Sequence, residues 1–257
     1  MSPKTQLHHR TIWISDTHLG SKGCQTKHLL KFLKTYTCDY LFLVGDIIDF
    51  WALKRGSKWT NAHNAIVQQI IKMSRHGTKV IYVPGNHDEP IRDYTNIDIG
   101  NIEIHRDYIH VTNEGTKIYV VHGDEFDIVT RYHKWVAVLG DIGYETLLSL
   151  NTVFNYVRSK LGLKYWSLSA YVKQNVKQAV NFVGDYENSV VKQAHHKETD
   201  AVLCGHIHHA EMKTIDGVLY INTGDWVESL TAVVETTDGQ LKIVHWLNQP
   251  ESGQKEQ

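Results

Sequence analysis

Five short polar clusters recur along the chain: Asp16-Thr17-His18, Gly45-Asp46 with Asp49, Gly85-Asn86-His87-Asp88, His122-Gly123-Asp124 and Gly205-His206-Ile207-His208. Each offers one or two carboxylate, amide or imidazole donors, a set that suits divalent cations such as manganese, iron or zinc and lacks the thiolates of a closed structural zinc site. Hydrolysis of a phosphate ester or anhydride needs a nucleophile at neutral pH and compensation for charge on the phosphoryl oxygens. Two cations about 3.5 to 4 Å apart supply both.

A carboxylate must be shared between two such cations. Asp46, which follows the most apolar run, is the natural one; Asp16, His18 and His208 then complete one metal, and Asn86, His122 and His206 the other. His87 stands beside a ligand amide, where an imidazole can reach a leaving-group oxygen as general acid. Asp88, one residue on, is read as holding that ring in the right tautomer, and Asp49 and Asp124 as groups that orient ligand imidazoles or loop amides. His195, His196 and His209 read as surface residues, and Cys204 as a small buried strand residue.

The runs that precede the clusters have strand character. Thr11 to Ser15, Tyr40 to Val44, Val80 to Val83, Lys117 to Val121 and Ala201 to Cys204 are short and rich in β-branched and aromatic residues. Between the first three lie Thr26 to Thr35 and Asn61 to Arg75, whose apolar residues recur at helical spacing. Strand, helix, strand units with short connections predict a parallel or mixed layered sheet, with the clusters gathered at one edge. Val218 to Asn222, Thr231 to Glu235 and Leu241 to Trp246, separated by Gly-containing turns, read as antiparallel strands. Residues 126–196 differ: they contain no Pro and are rich in Tyr, Trp, Leu, Val and Lys, which predicts a helical cap inserted into one domain spanning 1–257. Leu163 and Trp166 on that cap are candidates for lipid contact, and Arg131, Lys134, Arg158, Lys160, Lys164, Lys173 and Lys177 give the same insertion a cationic character; packing of helices onto the sheet explains the same pattern.

The 257 residues carry 27 Lys and Arg against 28 Asp and Glu, so no global field attracts nucleic acid and anion recognition must be local. Three cysteines without a Cys-x-x-Cys pair argue against a disulfide framework and fit a reducing cytosol. No run of about 18 apolar residues predicts a spanning helix, so the expectation is a soluble monomer, at most peripheral on the inner face of a membrane.

As an ordered set, Asp-x-His, Gly-Asp-x-x-Asp, Gly-Asn-His-Asp, His-Gly-Asp and Gly-His-x-His resembles the calcineurin-like metallophosphoesterase superfamily. The resemblance implies two mixed β-sheets packed as a sandwich between helices, with a dimetal site at the strand ends. It implies the ligand roles above and an acid role for His87. Within the superfamily, Asp46-Ile-Ile-Asp-Phe-Trp51 and the insertion after His122-Gly-Asp resemble the UDP-2,3-diacylglucosamine pyrophosphohydrolases, which carry Arg where this chain has His87. The substrate so implied is a nucleotide-linked lipid. A soluble phosphodiester or phosphoprotein is the competing class, and a non-catalytic scaffold is disfavoured because every ligand type is present.

Overall fold

In a computed structural model, described over residues 7–126 and 183–249, twelve strands form two sheets. The first contains β1 (Leu7–Ile14), β2 (Tyr36–Val44), β3 (Lys79–Val83), β4 (Asp98–Ile99), β5 (Ile102–Ile104), β11 (Thr231–Glu235) and β12 (Leu241–His245). Its order is β12-β11-β1-β2-β3-β5-β4. β1, β2, β3 and β5 run parallel, and β4, β11 and β12 pair antiparallel. The second sheet has the order β6-β7-β8-β10-β9, from β6 (Tyr108–Val111), β7 (Lys117–Val120), β8 (Ala201–Cys204), β9 (Glu211–Ile215) and β10 (Val218–Asn222). β10 lies parallel to β8 and antiparallel to β9, so it belongs to a different sheet from β11 and β12.

Alternation along the central strands decides what each face packs against. Ile12, Ile14, Leu41, Leu43 and Val80 meet Leu29, Phe32 and Leu33 of α1 (Thr26–Thr35) and Ile66, Ile70 and Met73 of α3 (Asn61–Arg75). The intervening Trp13, Phe42, Val44, Ile81 and Val83 face the second sheet, where they meet Ile118, Val120, Leu203 and Ile221. A strand covered on both faces reads as a continuous apolar run, which is why the second half of β2, Leu41 to Val44, is apolar throughout, whereas Tyr36 to Asp39 alternates between buried and more exposed residues. α3 starts at a capping box in which Thr60 and His63 satisfy each other's backbone N–H groups, with His63 where Glu or Gln is usual. A short helix, α2 (Phe50–Lys54), begins at Asp49, whose carboxylate accepts the Ala52 N–H at 2.7 Å.

The chain divides into two compact units, 1–125 with 190–257, and 126–189. Of the second, residue 126 and helical residues 183–189 are described; residues 127–182 of the expected cap, Leu163, Trp166, Arg131, Lys134 and Arg158 among them, lie outside the described residues. No described helix is long and apolar enough to cross a membrane. Cys24, Cys38 and Cys204 form no disulfide.

Where the sheets meet, Glu235 is fully buried and accepts hydrogen bonds from Arg10 at 2.7 and 2.9 Å, Thr11 at 2.7 Å and the Asn113 N–H at 2.7 Å. Burial pushes its pKa up, but these donors outweigh it and hold the carboxyl below its ordinary value. A carboxyl depressed in the folded state stabilises the fold above its unfolded pKa of about 4.3, and that contribution is lost as pH falls through the folded value. Glu235→Ala is therefore expected to cost about 3 kcal/mol at neutral pH and to flatten the acid limb of the stability curve below about pH 4.3. Urea titrations from pH 3 to 7 measure both.

Candidate dimetal site

All five clusters sit just past the carboxyl ends of parallel strands, where loops of an α/β sheet converge. The loops after β1 and β2 are zipped together: Asp16 N donates to Gly45 O at 3.0 Å, His18 N to Asp46 O at 2.9 Å, and Leu19 N to Ile47 O at 2.8 Å. Gly205 N reaches across to His122 O at 3.1 Å. Among the described residues nine non-glycine positions have left-handed backbone, and five are Asp16, His18, Asp46, His206 and His208, with φ from 48° to 69°. Strain of this kind persists where the surrounding fold over-determines it, and it clusters at functional sites.

The side chains assemble into compact groups. Asp16, His18 and His208 place one ligand atom each within 4.8 Å of one another, as do Asp46, His122 and His206. Asp46 lies between the two groups, with Oδ1 3.4 Å from His122 Nε2 and Oδ2 4.0 Å from His18 Nε2. The backbone leaves room for this because two positions lack a side chain. A Cβ on Gly45, which has φ +73°, would run into the His122 ring, and one on Gly85 would strike Asp46 Oδ1 and lie 2.6 Å from His122 Nε2.

Two of the imidazoles are aimed from behind. His122 Nδ1 donates to Val44 O at 3.0 Å, and His18 Nδ1 lies 3.4 Å from Asp49 Oδ2, which leaves both Nε2 atoms facing inward. Backbone or carboxylate support at the far nitrogen is the usual arrangement for a metal-ligating histidine. Four buried ligand-type atoms, Asp16 Oδ1, His18 Nε2, Asn86 Oδ1 and His122 Nε2, have no hydrogen-bond partner of sound geometry. Such atoms are costly unless a cation satisfies them, so the donor set fits divalent metal.

Electrostatics agree with a site built around paired carboxylates. Burial lowers the His122 pKa, but Asp46, Asp16 and Asp124 override it and push it up to about 10. His208 rises to about 9 in the same way, burial opposing and Asp16, Asp225 and Asp46 prevailing. Burial alone would raise Asp46 and Asp49, yet the imidazoles of His122, His18 and His87 hold both well below the carboxylate range.

His87 is half-buried at the rim. Its backbone N–H donates to Asp46 Oδ1 at 2.8 Å, and its Nδ1 lies 3.0 Å from Asp49 Oδ1. The ring is wedged between His18, at 4.6 Å edge-on, and Trp51, at 4.2 Å between ring centroids.

The expected part for Asp88 must be corrected. Its carboxylate is fully buried and turned away from its neighbour's ring, and it accepts from Tyr82 Oη at 2.5 Å, Ile47 N at 2.8 Å and Gly85 N at 2.5 Å. Asp88 thus ties the loops after β2 and β3 together, while Asp49 orients both His87 and His18. Asp124 pairs with Arg92 at 2.6 Å rather than with a ligand. Asp88→Asn would set an amide NH2 against backbone donors. We expect a loss of about 2 to 4 kcal/mol in stability and weaker metal retention, seen by thermal melting and metal analysis, with no selective effect on poor leaving groups.

A sequence model of calcineurin-like phosphoesterases matches residues 9–210. No curated protein sequence matches significantly. Among solved structures, a conserved Streptococcus pneumoniae TIGR4 protein described as a predicted phosphoesterase is 13% identical, with 95% of this chain and 94% of that chain covered and a TM-score of 0.43. The YfcE phosphoesterase of E. coli is 13% identical over 91% and 98%, with a TM-score of 0.43. Vacuolar protein sorting 29 of Cryptosporidium parvum is 13% identical over 91% and 94%, with a TM-score of 0.45. With the match running from the first strand past the last histidine cluster, the chain belongs to the calcineurin-like phosphoesterases, a family of hydrolases that act on phosphoric esters with divalent metals.

Proposed function

We propose that the chain hydrolyses a phosphoester or phosphoanhydride with two divalent cations, manganese by preference and iron or zinc as alternatives. Asp16, His18 and His208 would hold one, and Asn86, His122 and His206 the other, with Asp46 shared between them. The observation that carries this reading is the set of buried, inward-facing ligand atoms without hydrogen bonds on either side of Asp46. When bound, the cations supply a nucleophile at neutral pH and neutralise charge on the phosphoryl oxygens.

The chain's own residues do the rest. Asp49 holds the His87 ring by Nδ1, and Trp51 and His18 confine it on two sides, so that Nε2 is turned into the site, 3.9 Å from Asp46 Oδ2. From there His87 donates a proton to the departing oxygen. Asp88 keeps the Asp46 and Asn86 loops in register through Ile47 N and Gly85 N.

For substrate, we take a nucleotide-linked lipid such as UDP-2,3-diacylglucosamine as the leading candidate. Support comes from the Asp46 to Trp51 run and from the exposed indole of Trp51 at the rim, an apolar surface beside the leaving-group position. Metal-reconstituted protein is incubated with UDP-diacylglucosamine, a cyclic nucleotide, an aryl phosphodiester and a phosphopeptide, and products are read by mass. Preferred cleavage of the diphosphate is expected. Preferred cleavage of a soluble ester would replace the lipid by that class, and cleavage of none would remove the hydrolase reading.

A further inference from the structure

The near-neutral total charge conceals a strong segregation. Residues 17–87 hold ten Lys or Arg and three Asp, leaving 17 and 25 of each sign for the rest of the chain. Of those three acids, Asp46 and Asp49 are buried in the site, and Asp39 alone is exposed. No acidic residue occurs from Phe50 to His87.

The fold gathers this segment on one side. α1 and α3 pack together on the same face of the first sheet, joined by Gln69 Nε2 donating to Leu33 O at 3.1 Å. The turn after α2 is fastened to the loop before α1, where Ser57 Oγ donates to Gly20 O at 2.5 Å. On the outer side, Lys27, Lys31 and Lys34 recur at i, i+4 and i+7 along α1, and Lys72 and Arg75 close α3; all are exposed. Beside the site, exposed Lys54, Arg55 and Lys58 are bracketed by Trp51 and Trp59, which are 42% and 37% exposed.

We infer that this helical face docks the protein on an anionic lipid bilayer, with Trp51 and Trp59 seated among the headgroups. Tryptophans flanked by cations are what a membrane interface selects, since the indole body is apolar and its N–H stays wet. Among the nine exposed cations of this segment seven are Lys and two Arg, spread over convex helix faces. Diffuse lysine charge suits a sheet of headgroups, whereas a nucleic-acid site favours arginine forks and a groove. Because Trp51 also packs on His87, docking sets the rim of the catalytic site against the lipid surface.

Flotation of the full chain with vesicles tests this without reference to hydrolysis. Vesicles of phosphatidylcholine containing about a third phosphatidylglycerol should carry the protein, and pure phosphatidylcholine should not. Salt at about 0.5 M should release it. Each cation near an anionic leaflet strengthens binding by about fivefold. The combined variant Lys27→Glu, Lys31→Glu, Lys54→Glu, Lys58→Glu should therefore bind at least about a hundredfold more weakly, while melting with the wild type and cleaving a soluble aryl phosphodiester at the same rate. Should it melt lower, the same four positions changed to Gln give the readout. Trp59→Ala should weaken binding while keeping its salt dependence. The inference is overturned by absence of flotation with anionic vesicles, by equal flotation of the charge variants, or by duplex DNA or RNA binding more tightly than vesicles and displacing them.

Discussion

Asp46→Ala is expected to lower turnover by at least about a thousandfold and to leave fewer than two metal ions per chain. The magnitude follows from geometry. Among the described residues Asp46 is the carboxylate that faces both histidine groups, 3.4 Å from His122 Nε2 and 4.0 Å from His18 Nε2, so its loss would remove the charge shared by the two proposed metal positions. Removing a single group that stabilises developing charge costs about a hundred- to a thousandfold, and a shared ligand removes more than one such interaction. Metal analysis beside steady-state kinetics on an aryl phosphodiester reads both effects. A variant with two ions and near-normal turnover would take Asp46 out of the bridging position.

His87→Ala separates proton donation from metal binding. The ring is held through its Nδ1 by Asp49 and meets His18 edge-on, and the backbone N–H that donates to Asp46 Oδ1 survives the substitution, so both ions should remain. Turnover should fall about a hundred- to ten-thousandfold for an alkoxide leaving group and far less for nitrophenolate, which needs little protonation. His87→Arg should bind a diphosphate yet protonate it poorly, because guanidinium keeps its proton at neutral pH. Metal loss in His87→Ala would make the residue a ligand instead.

The main strands and helices were legible because their signals are long and consistent. α1 and α3 repeat apolar residues over three or four turns, and the runs Leu41 to Val44, Val80 to Val83 and Ala201 to Cys204 that end β2, β3 and β8 are apolar up to their clusters. β4, β5 and β6 escaped because two to four residues carry no measurable period, and β6 places a polar His110 on its buried side. α2 is five residues long and suffers from the same brevity.

At the site, residue types at strand ends indicated who gathers there, but neighbours along the chain misled about who touches whom. His87 and Asp88 are adjacent in sequence, yet the turn sends one carboxylate to the backbone of the β2 loop and leaves the imidazole to Asp49. The left-handed backbone at Asp16, His18, Asp46, His206 and His208 has only a weak sequence signal, since none of these is glycine although Asp and His enter that region more often than most residues. Charge tells a similar story. The balance of 27 against 28 is visible in the composition, but that α1 and α3 turn their lysines the same way is a property of their packing on one sheet face.

The central claim is that the side chains around Asp46 hold two divalent cations that make the chain a phosphoesterase. Its most direct test is stoichiometric titration of chelator-stripped wild-type protein with manganese, following bound metal and hydrolysis of an aryl phosphodiester in the same samples. Two ions per chain are expected at saturation, with activity that rises with occupancy of both positions. Turnover that persists in metal-free protein, or saturation at a single ion with full activity, would contradict it.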